Sequence, residues 1–93
     1  MAEAVEDLLR IRANELDWVE AGDEVIALDH RSGRYLSSNA AGSALWQLLA
    51  KGATREELVE RLISRFDVSR EHAAEDVDAY LLRLEDAGLL VTR

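Results

Sequence analysis

The feature that most constrains the fold is a change of hydrophobic period at Ser38-Asn39. Before it, apolar residues follow the two-residue repeat of a pleated strand; after it, they follow the roughly 3.6-residue repeat of a helix. One kind of element cannot satisfy both periods, so the chain divides into an N-terminal sheet and a C-terminal helical part. From about Glu15 to Glu20, Leu16 and Trp18 fall on one face and Asp17 and Val19 on the other. Ala21-Gly22-Asp23 supplies a tight turn. Glu24–Asp29 is a second strand, and His30-Arg31-Ser32-Gly33 connects it to a third over residues 34–38. Leu36 is expected to face the core and Tyr35 the opposite side. Two successive hairpins make a meander, which leaves the first and third strands as edges.

Three N-terminal caps punctuate the helical part. Asn39 or Ser38 caps a helix running to about Lys51, with Ala41, Ala44, Leu45, Leu48 and Leu49 on one stripe and Gly52 after its last turn. Gly42 inside that helix costs about 1 kcal/mol relative to alanine, which suits a place where another element crosses closely. Thr54-Arg55-Glu56-Glu57 has the form of a capping box and opens a second helix carrying Leu58, Val59, Leu62, Ile63 and Phe66 at helical spacing. Ser69 caps a third, from Arg70 to about Ala87, whose apolar arc is Ala73, Ala74, Val77, Tyr80, Leu81, Leu84 and Ala87. Gly88 is placed to end it, with Leu89 on Leu84 and with Leu90 and Val91 closing the core. The expected fold is α+β and winged helix-turn-helix-like, a three-stranded antiparallel sheet followed by three helices. Residues 1–12 carry no cap and are expected to be a flexible N-terminal arm, with residues 13–93 forming a single domain.

Several functions are disfavoured by what the chain carries. Neither histidine stands beside a constrained serine, and there is no cysteine, so nucleophilic catalysis has no visible machinery. His72 and Asp76 lie four residues apart, but two ligands do not make a metal site. The acid pairs Glu56-Glu57, Glu75-Asp76 and Glu85-Asp86 read as helix surface, and there is no glycine-rich phosphate loop. The expectation is a protein without catalysis, metal or cofactor. A net charge of −8 repels phosphate backbones and anionic lipids. The last helix, where a winged helix would read DNA, carries six acids against two bases between Ser69 and Ala87. No apolar run approaches the roughly 20 residues that span a bilayer, and the N-terminus bears acids where a signal peptide bears bases. A cytoplasmic protein that binds neither nucleic acid nor membrane is expected.

Protein or peptide recognition is what remains, with an acidic winged-helix regulatory module that dimerises or binds another protein as an alternative to a peptide-binding adaptor. A free third strand offers backbone amides and carbonyls to an extended segment, and a neighbouring helix supplies pockets for its side chains. Tyr80 lies at the border of the apolar arc of the last helix, with Asp76 and Arg83 on the same flank.

Taken in order, Glu24–Asp29, Gly33-Arg34-Tyr35-Leu36-Ser37-Ser38-Asn39, Gly42–Trp46, Gly52–Leu58, Asp76–Leu84 and Gly88-Leu89-Leu90 resemble the PqqD-like proteins, the precursor-peptide recognition elements of ribosomally made and modified peptides. The resemblance spans roughly Glu15 to Val91 and rests on order and spacing, since each motif alone is capping or core chemistry. It implies a winged-helix-like domain that binds the leader of a precursor peptide and presents it to maturation enzymes. The pattern is most similar to the stand-alone recognition proteins of lasso peptide pathways, whose partner is a separate leader peptidase. Members serving pyrroloquinoline quinone synthesis have a similar pattern. By position, the resemblance assigns peptide binding to Arg34, Tyr35, Leu36 and Ser37 on the strand and to Asp76, Val77, Tyr80 and Arg83 on the helix. One departure is Ser38, where the family often has leucine before the cap asparagine.

Overall fold

The computed structural model describes residues 8–92. Its elements are β1 (Leu9–Ile11), β2 (Leu16–Ala21), β3 (Glu24–Asp29), β4 (Arg34–Ser38), α1 (Ala40–Lys51), α2 (Arg55–Arg65), α3 (Arg70–Asp86) and β5 (Leu90–Thr92). The meander is present as an antiparallel sheet of order β2-β3-β4. Its first hairpin turns at Gly22, where φ is +65° at the first central position, one that glycine occupies without steric cost. Alternation holds across the sheet: Val25 and Ala27 are buried, Leu36 packs on the core, and Val19 and Tyr35 are exposed.

All three caps form. Asn39 accepts from the Gly42 N–H, Ser69 from the His72 N–H, and Thr54 and Glu57 complete a reciprocal capping box. α3 ends at Asp86, followed by Gly88 at φ +74°, and the Leu89 N–H donates back to the Leu84 carbonyl at 2.9 Å. Leu45, Trp46, Leu49, Leu58, Leu62, Val77 and Leu84 of the helices form one buried core with Val25 and Ala27 of the sheet. The Trp18 and Trp46 rings meet edge to face, their centroids 5.8 Å apart.

Three expectations are corrected. The flexible arm placed over residues 1–12 falls partly outside the described residues, but Leu9–Ile11 is a strand. It pairs antiparallel with β5, and Leu9 exchanges both backbone hydrogen bonds with Ala53, at 2.8 and 2.9 Å. Short strands joined only by distant partners carry no local signal. Ala87, placed in the apolar arc, is instead exposed as the C-terminal cap of α3. Val91 is also largely exposed, since alternation along β5 turns its side chain away from the core while Leu90 packs inward.

A polar tie joins these parts. Asp29, buried at the end of β3, accepts from the Arg31 N–H and the Ser32 hydroxyl, both at 3.0 Å, and pairs with the Arg12 guanidinium. Arg12 also donates to the Gly88 carbonyl at 3.3 Å. The β3–β4 turn is thereby fixed relative to the C-terminal end of α3.

Candidate functional site

β4 is an edge strand of the sheet. It pairs with β3 through Asp29↔Arg34, Leu28↔Tyr35, Ala27↔Leu36, Ile26↔Ser37 and Val25↔Ser38, and with no other strand among the described residues. Backbone groups of an antiparallel strand point to alternate sides, so the position of one fixes the rest. The Gly33 N–H donates to the Asp29 carbonyl at 2.7 Å, which places the backbone of Asp29 on the β4 side of β3. The pairs Asp29–Arg34, Ala27–Leu36 and Val25–Ser38 therefore share the ladder. The amides and carbonyls of Tyr35 and Ser37 point outward to the open edge.

The last rung is bridged by a side chain. Ser43 of α1 accepts from the Val25 N–H at 2.7 Å and donates to the Ser38 carbonyl at 3.0 Å. One buried hydroxyl thus locks the start of α1 to the end of β4.

Beside the edge lies a groove of about 510 Å³ between the end of β4 and α3. Ser37, Ser38 and Asn39 form one wall, Asp76, Ala79, Tyr80 and Arg83 the other, and Gly42, Leu45 and Leu62 lie beneath. A second cavity of about 500 Å³ lies toward the start of the strand, between Arg34, Tyr35 and Leu36 and the residues Asp86, Ala87 and Leu89 at and just beyond the end of α3. Both volumes fall in the range of ligand-sized clefts.

Tyr80 organises the inner wall. Its ring is nearly buried, and its hydroxyl bonds Ser38 Oγ at 2.8 Å. Burial pushes the phenol's pKa up, against the opposing effects of the Ser38 bond and the nearby Arg83 charge, so Tyr80 stays neutral. The departure at Ser38 thus has a structural partner, because a leucine there would leave the Tyr80 hydroxyl without this bond. Gly42 makes room for the pair: a Cβ on it would meet Tyr80 Cε1 at 3.0 Å and Ser38 Cβ at 3.1 Å. The close crossing expected at Gly42 is with this tyrosine and the strand end.

Arg34, Tyr35, Leu36 and Ser37 all lie along the edge, and Asp76, Tyr80 and Arg83 face it across the groove. Val77 does not join them. It is fully buried beneath α3 and supports the wall without lining it, as its place in the apolar arc requires. Sequence reasoning missed Ser38, Asn39, Ala41, Gly42, Leu45, Leu62 and Ala79 as groove residues. Gly42 was the one with a usable signal, a glycine tolerated inside a helix.

His72 Nε2 lies 4.0 Å from Asp76 Oδ2, and both side chains are exposed. No cluster of three or more potential metal ligands occurs among the described residues. The acid pairs at 56–57, 75–76 and 85–86 are exposed on their helices. No helix among the described residues is long and apolar enough to cross a membrane.

Fold and site together define a small α+β, winged-helix-like domain with a groove between the free edge of its sheet and its longest helix. The family described as coenzyme PQQ synthesis protein D (PqqD) matches residues 24–90, and the chain belongs to that family. Among solved structures it is similar to TbiB1 in complex with the TbiA(beta) leader peptide, with 30% identity and a TM-score of 0.80 over 87% of this chain and 93% of that one. It is also similar to lasso peptide synthetase B1 complexed with the leader peptide, with 26% identity and a TM-score of 0.78 over 89% and 96%. No curated protein matches the chain.

Proposed function

We propose that this protein binds the leader segment of a ribosomally made precursor peptide and delivers it to maturation enzymes, a separate leader peptidase of lasso peptide biosynthesis among them. The observation that carries the proposal is the open β4 edge, whose outward groups at Tyr35 and Ser37 face a groove walled by α3. A leader adds there as a strand over residues 34–38, and its alternate side chains enter the groove against Asp76, Tyr80 and Arg83. The protein acts by positioning and performs no catalysis. The two similar structures, both described with leader peptides, support this reading.

A second reading, with the precursor of pyrroloquinoline quinone as the bound peptide, takes its support from the family's description as a coenzyme PQQ synthesis protein. The mode of binding is the same in both. A test of the mode is proline at an outward edge position, which removes an edge amide while leaving the ladder to β3 intact. Tyr35→Pro and Ser37→Pro proteins, folded by circular dichroism, are expected to lose calorimetric binding of the leader of a precursor encoded beside this protein. Undiminished binding by both folded variants contradicts strand addition.

A further inference from the structure

We infer that Arg83 is a latch on the free β4 edge and, once displaced, the residue that selects an acidic side chain in the incoming segment. The inference rests on the strand-addition reading above and deepens it.

The latch is visible in the resting geometry. Arg83 Nη2 donates to the Ser37 carbonyl at 3.1 Å, reaching from α3 across the mouth of the groove. That carbonyl is one of the outward groups an added strand must use, because a strand pairing at Ser37 bonds both its N–H and its C=O. The guanidinium therefore stands where the incoming amide has to bond. Arg12, Arg31, Arg55 and Arg70 all pair with carboxylates. Arg83, like Arg10, Arg34, Lys51, Arg61 and Arg65, pairs with none among the described residues; what sets it apart is that its guanidinium bonds the strand carbonyl instead.

Displacement then sets a preference. When a peptide amide takes the Ser37 carbonyl, Arg83 loses its acceptor while remaining beside the peptide. The peptide residue opposite Ser37 points its side chain to the outer face of the sheet, with that of Ser37. The residues on either side of it point to the inner face, toward α3 and Arg83. A carboxylate at one of those flanking positions gives the guanidinium a new and stronger partner, while a neutral residue leaves it unpaired. The ligand class is thus an extended segment with Asp or Glu next to the residue that bonds Ser37.

A random peptide library displayed on phage tests this without presupposing the ligand. Binders are selected on the wild-type protein, on Arg83→Gln and on Arg83→Glu, and only those lost on both folded Tyr35→Pro and folded Ser37→Pro are scored. The wild type is expected to enrich Asp or Glu at one position, Arg83→Gln to lose that enrichment, and Arg83→Glu to replace it with Lys or Arg. A selected peptide with the acid changed to Gln is expected to bind Arg83→Gln roughly fivefold better than wild type, because the latch is gone. A merely structural arginine would weaken both peptides alike. The same charge profile on all three proteins overturns the latch and leaves strand addition standing. Selection that yields no edge-dependent binder overturns both.

Discussion

Replacing Gly42 with alanine sets two opposing effects against each other at the floor of the groove. Within a helix, alanine is favoured over glycine by about 1 kcal/mol. Against that, the new Cβ lies 3.0 Å from Tyr80 Cε1 and 3.1 Å from Ser38 Cβ, inside ordinary van der Waals contact. Neither neighbour yields easily. Tyr80 is 8% exposed and tied by its hydroxyl to Ser38, and Ser38 is held in the ladder opposite Val25. Overpacking of this kind costs about 1–3 kcal/mol, so the net loss is expected near 1 kcal/mol. Urea denaturation checks it: the midpoint falls while the slope stays the same. In a Tyr80→Phe background the ring is released from Ser38, and the cost of Gly42→Ala is expected to shrink by about 0.5 kcal/mol or more in a double-mutant cycle. A Gly42→Ala protein more stable than wild type by about 1 kcal/mol would mean that helix propensity alone decides and that the contact is loose.

Other perturbations act on single contacts. Ser43→Ala leaves the Val25 N–H and the Ser38 carbonyl without their shared partner, and a loss of about 1–3 kcal/mol in urea denaturation is expected. Thr54→Ala removes the capping box of α2 and is expected to cost about 1 kcal/mol by the same measurement. At Asp29, burial raises the pKa, but the bonds from Arg31, Arg12 and Ser32 outweigh it and hold the carboxyl below its ordinary 3.8. The unfolded chain therefore takes up this proton first on acidification. The stabilisation is whole above pH 3.8 and is lost as pH falls through the folded value. Asp29→Asn is expected to lower stability at neutral pH and to make its fall on acidification shallower; an unchanged slope argues against the tie.

What could be read from the sequence was what is decided within a few residues. The caps at Asn39, Thr54 and Ser69 join a side chain to an amide three residues on, and each formed as expected. The alternation that sends Leu36 inward and Tyr35 outward is likewise a local rule. The pairing of β1 with β5 was not legible, because Leu9 and Thr92 lie at opposite ends of the chain and three-residue strands give no periodic signal. Ser43 sits among apolar helix residues and acquires its role only when α1 meets the sheet. Val77 was assigned to the groove by position, although its place in the apolar arc of α3 already favoured the core. At the edge itself, alternation gave side-chain direction, but the outward backbone groups of Tyr35 and Ser37 required the register with β3.

That register supplies the most direct test of strand addition. Backbone amide hydrogen exchange, read residue by residue by NMR, is measured on the free protein and with the leader of a precursor encoded beside it. In the free protein the Tyr35 and Ser37 amides point to the open edge and exchange fast, while the Leu36 amide is protected by its ladder with β3. Binding is expected to protect Tyr35 and Ser37 and to leave Leu36 nearly unchanged, an alternation that only a strand added to β4 produces. Binding with the Tyr35 and Ser37 amides still exchanging as in the free protein would contradict the account.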